Sequence, residues 1–455
     1  MGAFSVVRMS QLEGALRLDA EYYKPEYLTI RDKLNSISTK EIKDISVSVV
    51  NFGAYSLCNY ITFQKEGIPY LNVENIREGY IDWVGIKYID PLVHKLLWKS
   101  KVRENQVILT MAGTIGNAAV AYKIPSEINS NQATAKITLQ NDFSPFYLAV
   151  FLNSFYGRIQ TKWEIVSNVQ PNIFLWQIKR IKVFVPKIYE LIEKIDNLYK
   201  NGLDLLNDSK VVYSQAENLL LEELGLKDFE PKNEKTYTAN LSDAFFAHRI
   251  DAEYFQPAYE EVIRKIEDIT ELKPLGKLAN RVRLKINPEN NKLYRYIEIS
   301  DVLIDIGEVN YTERLGKDLP PNARIPVKGG ELIISKVRPT RGAIGIIPYC
   351  LGENLICSSA FSVFNVSSPL KEYLYVITRS IIGRLQLEKP TKGTSYPTIE
   401  DLDVEKLRIP LLPLSTQQKI ASLVQQSHDA RKKAIALLDE AKRRVEEEIE
   451  NQAAL

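Results

Sequence analysis

The sequence is poor in the residues that most often carry chemistry. Its 455 residues include three cysteines and three histidines. Cys58, Cys350 and Cys357 are odd in number and lack the paired spacing of a zinc site, which argues against a disulfide-stapled scaffold and for a reducing, cytoplasmic setting. His94, His248 and His428 lie far apart, and none has a partner at metal-ligand spacing. The chain has no Gly-x4-Gly-Lys-Ser/Thr loop to cradle phosphates, and no Asn-Pro-Pro-Tyr or Asp-Pro-Pro-Tyr run to hold a flipped adenine. No apolar run approaches the length of a membrane span. A net charge of +2 and a pI near 8.1 give no surplus of either sign, so any nucleic-acid surface must come from local arrangement. No catalytic, cofactor or metal site is expected.

Two long helical periodicities stand out against this background. From Pro186 to Leu224, apolar residues recur at Ile188, Leu191, Ile195, Leu198, Leu206, Tyr213, Ala216, Leu220 and Leu224. Steps of three and four keep one stripe along a helix, here one roughly 55 Å long. Gly225 suits the left-handed turn that follows. The last forty residues show the same rhythm at Ile420, Leu423, Ser427, Ala430, Ala434, Leu437, Ala441, Val445 and Ile449. Ser415 and Gln418 have the spacing of a capping box at that helix's start.

The segments before the helices are copies of each other. LDAEYYKPEY at 18–27 returns as IDAEYFQPAY at 250–259, and YLAVFLNSFYGRIQ at 147–160 as YLYVITRSIIGRLQ at 373–386. Between them Gly113-Thr-Ile-Gly116 is matched to Gly342-Ala-Ile-Gly345, and after them Asn168–Ile173 to Thr394–Ile399. Each copy reads as a short helix after a proline (Tyr27–Leu34; Tyr259–Ile266), then β-rich runs with a strand–glycine turn–strand, a helix (145–160; 369–386), and a last strand leading to the long helix. Asp19, Glu21, Asp251 and Glu253 are expected to cap or anchor the short helix rather than to form a catalytic pair. Predicted boundaries are 1–186 for the first head, 187–226 for its helix, 227–240 for a charged linker, 241–413 for the second head and 414–455 for its helix.

Local polar surface is the remaining signal. Arg281, Arg283 and Lys285 alternate, which on a strand places them on one face. Lys336, Arg338 and Arg341 crowd a Pro-Gly turn, and Lys392, Ser395 and Tyr396 sit in a small flexible loop. Arginine forks fit phosphates and the O6/N7 edge of guanine. In the first copy Lys101 and Arg103 are basic, Thr114 lies in the glycine turn, and Asn131, Gln132, Asn168 and Gln170 lie in amide-rich loops. Asparagine and glutamine can pair in two-point fashion with adenine. For any one of these residues solvated surface is the default reading; the expectation is that at least one member of each loop touches nucleic acid.

These features resemble the specificity subunits of type I restriction-modification systems. LPLSTQQKIASLV at 412–424 is similar to the family's Pro-Leu-x-x-Gln-Gln-x-Ile helix start, and the glycine turns are followed by Gln-Pro-Asn-Ile (170–173) or Tyr-Pro-Thr-Ile (396–399). The first long helix departs from the pattern, opening KIYELIEKI. The resemblance implies an α+β fold: two tandemly duplicated α/β target-recognition domains joined and separated by two long antiparallel, coiled-coil-like helices, with pseudo-two-fold symmetry. It implies a non-enzymatic, cytoplasmic chain that reads a bipartite, asymmetric site on double-stranded DNA. Two DNA-methyltransferase subunits and restriction/translocase subunits would dock on the helices, with S-adenosylmethionine and ATP/Mg used in those partners. Helix length would set the unread spacer between half-sites, and an unfilled docking surface would let the free chain self-associate. Two alternatives stay open: the same role beside a fused methyltransferase-nuclease in a type II system, and a protein- or RNA-binding scaffold.

Overall fold

The computed structural model describes residues 5–454 apart from 11, 13–16, 52–60, 166–170, 232, 233 and 305. The chain divides into two compact units, Met1–Leu206 with Arg431–Leu455, and Asn207–Ala430. Each unit is therefore one head together with the parts of both long helices that pack on it. No helix among the described residues is long and apolar enough to cross a membrane.

The first head is built on a four-stranded antiparallel sheet in the order Ser46–Val50, Thr134–Leu139, Val107–Thr110, Ala118–Val120. Val107–Thr110 is buried along its whole length because both faces of the sheet are covered. Side chains alternate across a strand. Val107 and Leu109 accordingly join the core under the helix Pro145–Asn153, while Ile108 packs with Leu71, Val102 and Ile128 beneath a smaller five-stranded sheet. The second head repeats the arrangement. Its sheet runs Asn280–Arg281, Phe361–Asn365, Leu332–Ser335, Ile344–Ile346, with Leu332 and Ile334 toward the helical side and Ile333 toward the other.

The two copies share their fastenings. Tyr147 donates to the Phe184 carbonyl and Tyr373 to the Pro410 carbonyl, each at 2.9 Å across a buried core. Arg17 pairs with Asp19 and reaches the carbonyls of Glu164 and Ile165; Arg249 pairs with Asp251 and reaches those of Pro390 and Thr391. Asp19 also caps the turn Ala20–Tyr23. The repeated Arg-x-Asp motif thus ties the entry of each head to the loop before its last strand.

Several expectations need correction. The helix expected at 145–160 is two helices, Pro145–Asn153 and Phe155–Glu164, and its copy is Leu370–Arg379 followed by Ile381–Glu388. The breaks fall at Ser154 and Ser380, whose hydroxyls cap the second helix of each pair. The glycine turns align differently from the sequence match. Thr110 N–H donates to the Asn117 carbonyl as Ser335 N–H does to that of Ala343, so Gly116, not Gly113, corresponds to Gly342. Both take positive φ, 90° and 76°. Arg281 ends its strand, so Arg283 and Lys285 lie outside it and the three cations share no strand face. The second long helix begins at Leu414, which puts Ser415 inside the first turn with Pro413 before it; the side chain that covers a carbonyl at this start is Gln417, on Leu412 at 2.9 Å.

The long helices, Tyr189–Glu223 and Leu414–Ala453, run antiparallel. The buried positions of the second are Thr416, Ile420, Ala421, Val424, Ser427, Arg431, Ala434, Leu438, Ala441, Val445 and Ile449. Leu423, Ala430 and Leu437, expected in the stripe, flank it, because the seam alternates steps of four and three from Ile420 to Val445. Small residues let the backbones approach. A Cβ on Gly202 would stand 3.1 Å from Leu438 in the first unit. In the second, Ser427 Oγ donates to the Ser209 carbonyl at 2.7 Å.

Candidate nucleic-acid interface

In the second unit the chain leaves the strand Leu332–Ser335 through a turn in which Arg338 adopts a left-handed conformation, φ 47°. A second loop, Lys392–Thr398, is closed by reciprocal backbone bonds between its end residues at 3.0 and 2.9 Å. Gly393, φ 88°, permits the sharp reversal. The two loops dock on each other: Arg338 N–H donates to the Pro397 carbonyl at 2.7 Å and Ile399 N–H to that of Lys336 at 3.0 Å. The Arg338 guanidinium lies 4.3 Å from the Tyr396 ring centroid and donates to the Ser395 carbonyl at 3.1 Å. Lys336, Arg338, Lys392, Ser395 and Tyr396 are thereby brought together, with Arg341 exposed on the same turn.

The cations here are not equivalent. Lys336 bonds Asp401 at 3.0 Å, and Arg281 bonds both Asp401 and Glu405. Their side chains are only 16% and 21% exposed. Burial alone would raise the Asp401 carboxyl, but the Ser362 hydroxyl, the Lys336 ammonium and Arg281 outweigh it and hold it below the ordinary carboxylate value. Arg281 and Lys336 therefore serve the fold of the site. Arg283, 73% exposed with one edge 3.4 Å from Glu405, and Lys285, exposed, remain available to a ligand.

The first unit has the same frame with different side chains. Met111 N–H donates to the Ala133 carbonyl at 2.7 Å as Lys336 N–H does to that of Ala360 at 2.8 Å. Ile173 N–H donates to Met111 as Ile399 does to Lys336, both at 3.0 Å. Phe174 N–H is capped by the Gln177 side chain as Glu400 N–H is by that of Asp403. Met111 thus stands at the position of Lys336, Leu175 at that of Asp401, and Lys179 at that of Glu405. The ion-paired wall becomes an open cleft of about 640 Å³ in which Met111, Leu175, Phe174 and Trp176 face the Gln132 and Asn172 amides. The matching space in the second unit is about 20 Å³.

The expected residues of the first unit fare unevenly. Gln132 lines the cleft and Thr114 is exposed on the neighbouring turn. Asn131 is largely occupied, its amide near Asn72 and its carbonyl accepting from Ala133 N–H at 3.2 Å. Lys101 opens the edge strand Lys101–Val102 of the small sheet, Arg103 follows it, and neither lines the cleft. Asn168 and Gln170 lie outside the described residues. Phe174 and Trp176, 44% and 48% exposed, were missed. Two aromatics flanking one residue, just after the Pro-Asn-Ile run, were the available signal.

Residues 260–438 match the family described as the type I restriction modification DNA specificity domain. The chain is similar to the specificity subunits of type I restriction-modification systems. That family is one of non-catalytic recognition subunits. The chain is 23% identical over 429 residues to the protein assigned as the type I restriction enzyme MjaX specificity subunit of Methanocaldococcus jannaschii, covering 90% of this chain and 89% of that one. It is 24% identical over 144 residues to the EcoBI specificity subunit of Escherichia coli, a match spanning 30% of this chain and 29% of the relative's own length. The crystal structure of the type I system S subunit from M. genitalium aligns over 90% of this chain and 95% of its own with a TM-score of 0.42 and 12% identity.

Proposed function

We propose that this chain is a specificity subunit that reads a bipartite, asymmetric site on duplex DNA, one head per half-site. Two DNA-methyltransferase subunits, and restriction subunits, would dock through the long helices. S-adenosylmethionine and ATP/Mg would then be used by those partners. The observation that carries the reading is the docked loop pair of the second head, where Arg338 is held on Tyr396 beside Arg341 and Lys392. An ordered guanidinium on a rigid turn can meet a phosphate or a guanine edge at little entropic cost. The different side chains on the same frame in the first head support an asymmetric site.

Methylation-sensitive sequencing of DNA from cells carrying the complex tests this. A split motif is expected, and exchanging residues 250–413 for those of a relative should change one half of it. A continuous motif, or a change in both halves, contradicts the assignment. A type II system with a fused methyltransferase-nuclease gives the same motif form and is separated by the partner's own sequence. A non-DNA scaffold is separated by absence of retention on duplex DNA when methyltransferase is present.

A further inference from the structure

The first head's cleft replaces the ion-paired wall of the second with apolar and amide groups and one lysine, Lys179, on an otherwise shared frame. In the second head Asp401 and Glu405 fill the corresponding space by binding Arg281 and Lys336. In the first head Leu175, Lys179 and Met111 stand in place of Asp401, Glu405 and Lys336, and the space is open. Phe174 and Trp176 stay half-exposed at its edge, where water contact is unfavourable unless a ligand covers them. The Arg180 guanidinium lies over the Trp176 ring, 5.9 Å from its centroid.

We propose that this cleft reads an A·T pair through the thymine 5-methyl group, which packs against Trp176, Phe174 and Met111, while the Gln132 or Asn172 amide meets the adenine edge. The inference rests on the DNA-reading function above, since the cleft occupies the face that carries the exposed cations in the second head. Among the four bases in the major groove, thymine alone presents a methyl group, and adenine offers the N7 acceptor and N6 donor that match an amide. Among the described residues, the lining has no carboxylate to accept from cytosine N4, and its cation, Lys179, would meet guanine only as a point charge without the planar fork of arginine. The two heads thus differ in the chemistry they recognise: apolar and amide groups with a single lysine in the first, guanidinium in the second.

The test uses the assembled complex with its methyltransferase subunits and the half-site assigned to the first head by the exchange described above. Each thymine in that half-site is replaced in turn by deoxyuridine, which keeps base pairing and removes only the methyl group. Binding should weaken about fourfold at one position or more, the effect of one methyl-sized group. Trp176→Ala should bind thymine and uracil duplexes alike, and Trp176→Phe should retain the preference; melting temperatures report that each variant is folded. A half-site without a T·A pair, uniform indifference to uracil, or a preference that survives Trp176→Ala overturns the proposal. Loss of all sequence-specific retention by the unaltered complex would instead overturn the DNA-reading function itself, which keeps the two failures distinct.

Discussion

The Lys136 ammonium donates to the Ser130 hydroxyl at 2.9 Å, and both side chains are fully buried. The Ser130 hydroxyl reaches on to the Ser100 carbonyl, and Asn129 beside it meets His94. In the second head the sheet position corresponding to Lys136, opposite Ile333, is Val363. Burial lowers the Lys136 pKa from 10.5 to about 7. The unfolded chain therefore holds a proton between these values that the folded chain has released. Stability should rise with pH across that window, because the unfolded state binds more protons there. Below about 7 both states are charged and the full cost of the buried ammonium is present. Lys136→Met should flatten the dependence and stabilise the chain at pH 7 by about 1–3 kcal/mol. Urea unfolding from pH 6 to 10 measures both effects, and a falling or level profile in the unaltered chain would refute the account.

Arg338 and Arg341 should contribute to DNA binding as charges. Replacing both with alanine should weaken retention and reduce the slope of log affinity against log salt by about 0.9 for each phosphate no longer neutralised. Tyr396→Ala should cost less, about 0.5–1 kcal/mol, since it frees Arg338 without removing its charge. Arg281→Met should leave the salt slope unchanged, because that guanidinium is already engaged by Asp401 and Glu405. Filter retention across a salt series distinguishes these outcomes.

Asp401 gathers Arg281, Lys336 and Ser362. Asp401→Asn would leave two part-buried cations short of a counter-charge and should destabilise the chain by about 1–3 kcal/mol. Since the folded carboxyl sits below its ordinary 3.8, its contribution is complete above that value and fades as the pH falls through the folded pKa. Denaturant unfolding at pH 7 and pH 3 should show the gap between variant and unaltered chain narrowing in acid.

Gly157 and Gly383 should be equally intolerant of a side chain. A Cβ would stand 2.2 Å from the Phe151 carbonyl oxygen in one head and 2.4 Å from Thr378 in the other. Both approaches are to the preceding helix, at the break capped by Ser154 or Ser380. Gly157→Ala and Gly383→Ala should each cost about 1–3 kcal/mol or more by overpacking, read as a lowered thermal midpoint. A neutral result at either position would argue that the break can open.

The sequence by itself determined the duplication, the strand–turn–strand cores and the long helical seams. Those rest on local period and on residues such as Tyr147 and Tyr373, whose equivalent roles are visible in matching segments. Tertiary structure decided which charges are free. Arg281 and Arg283 look alike in sequence, but only contact with the distant Asp401 and Glu405 consumes the first while leaving the second largely exposed. It likewise decided that Gly116 corresponds to Gly342, a matter of backbone pairing rather than of spelling, and that Phe174 and Trp176 flank an open cleft. Periodicity is carried along the chain and can be read there; availability to a ligand depends on what segments far apart in sequence place against each side chain, and that is settled only when they pack.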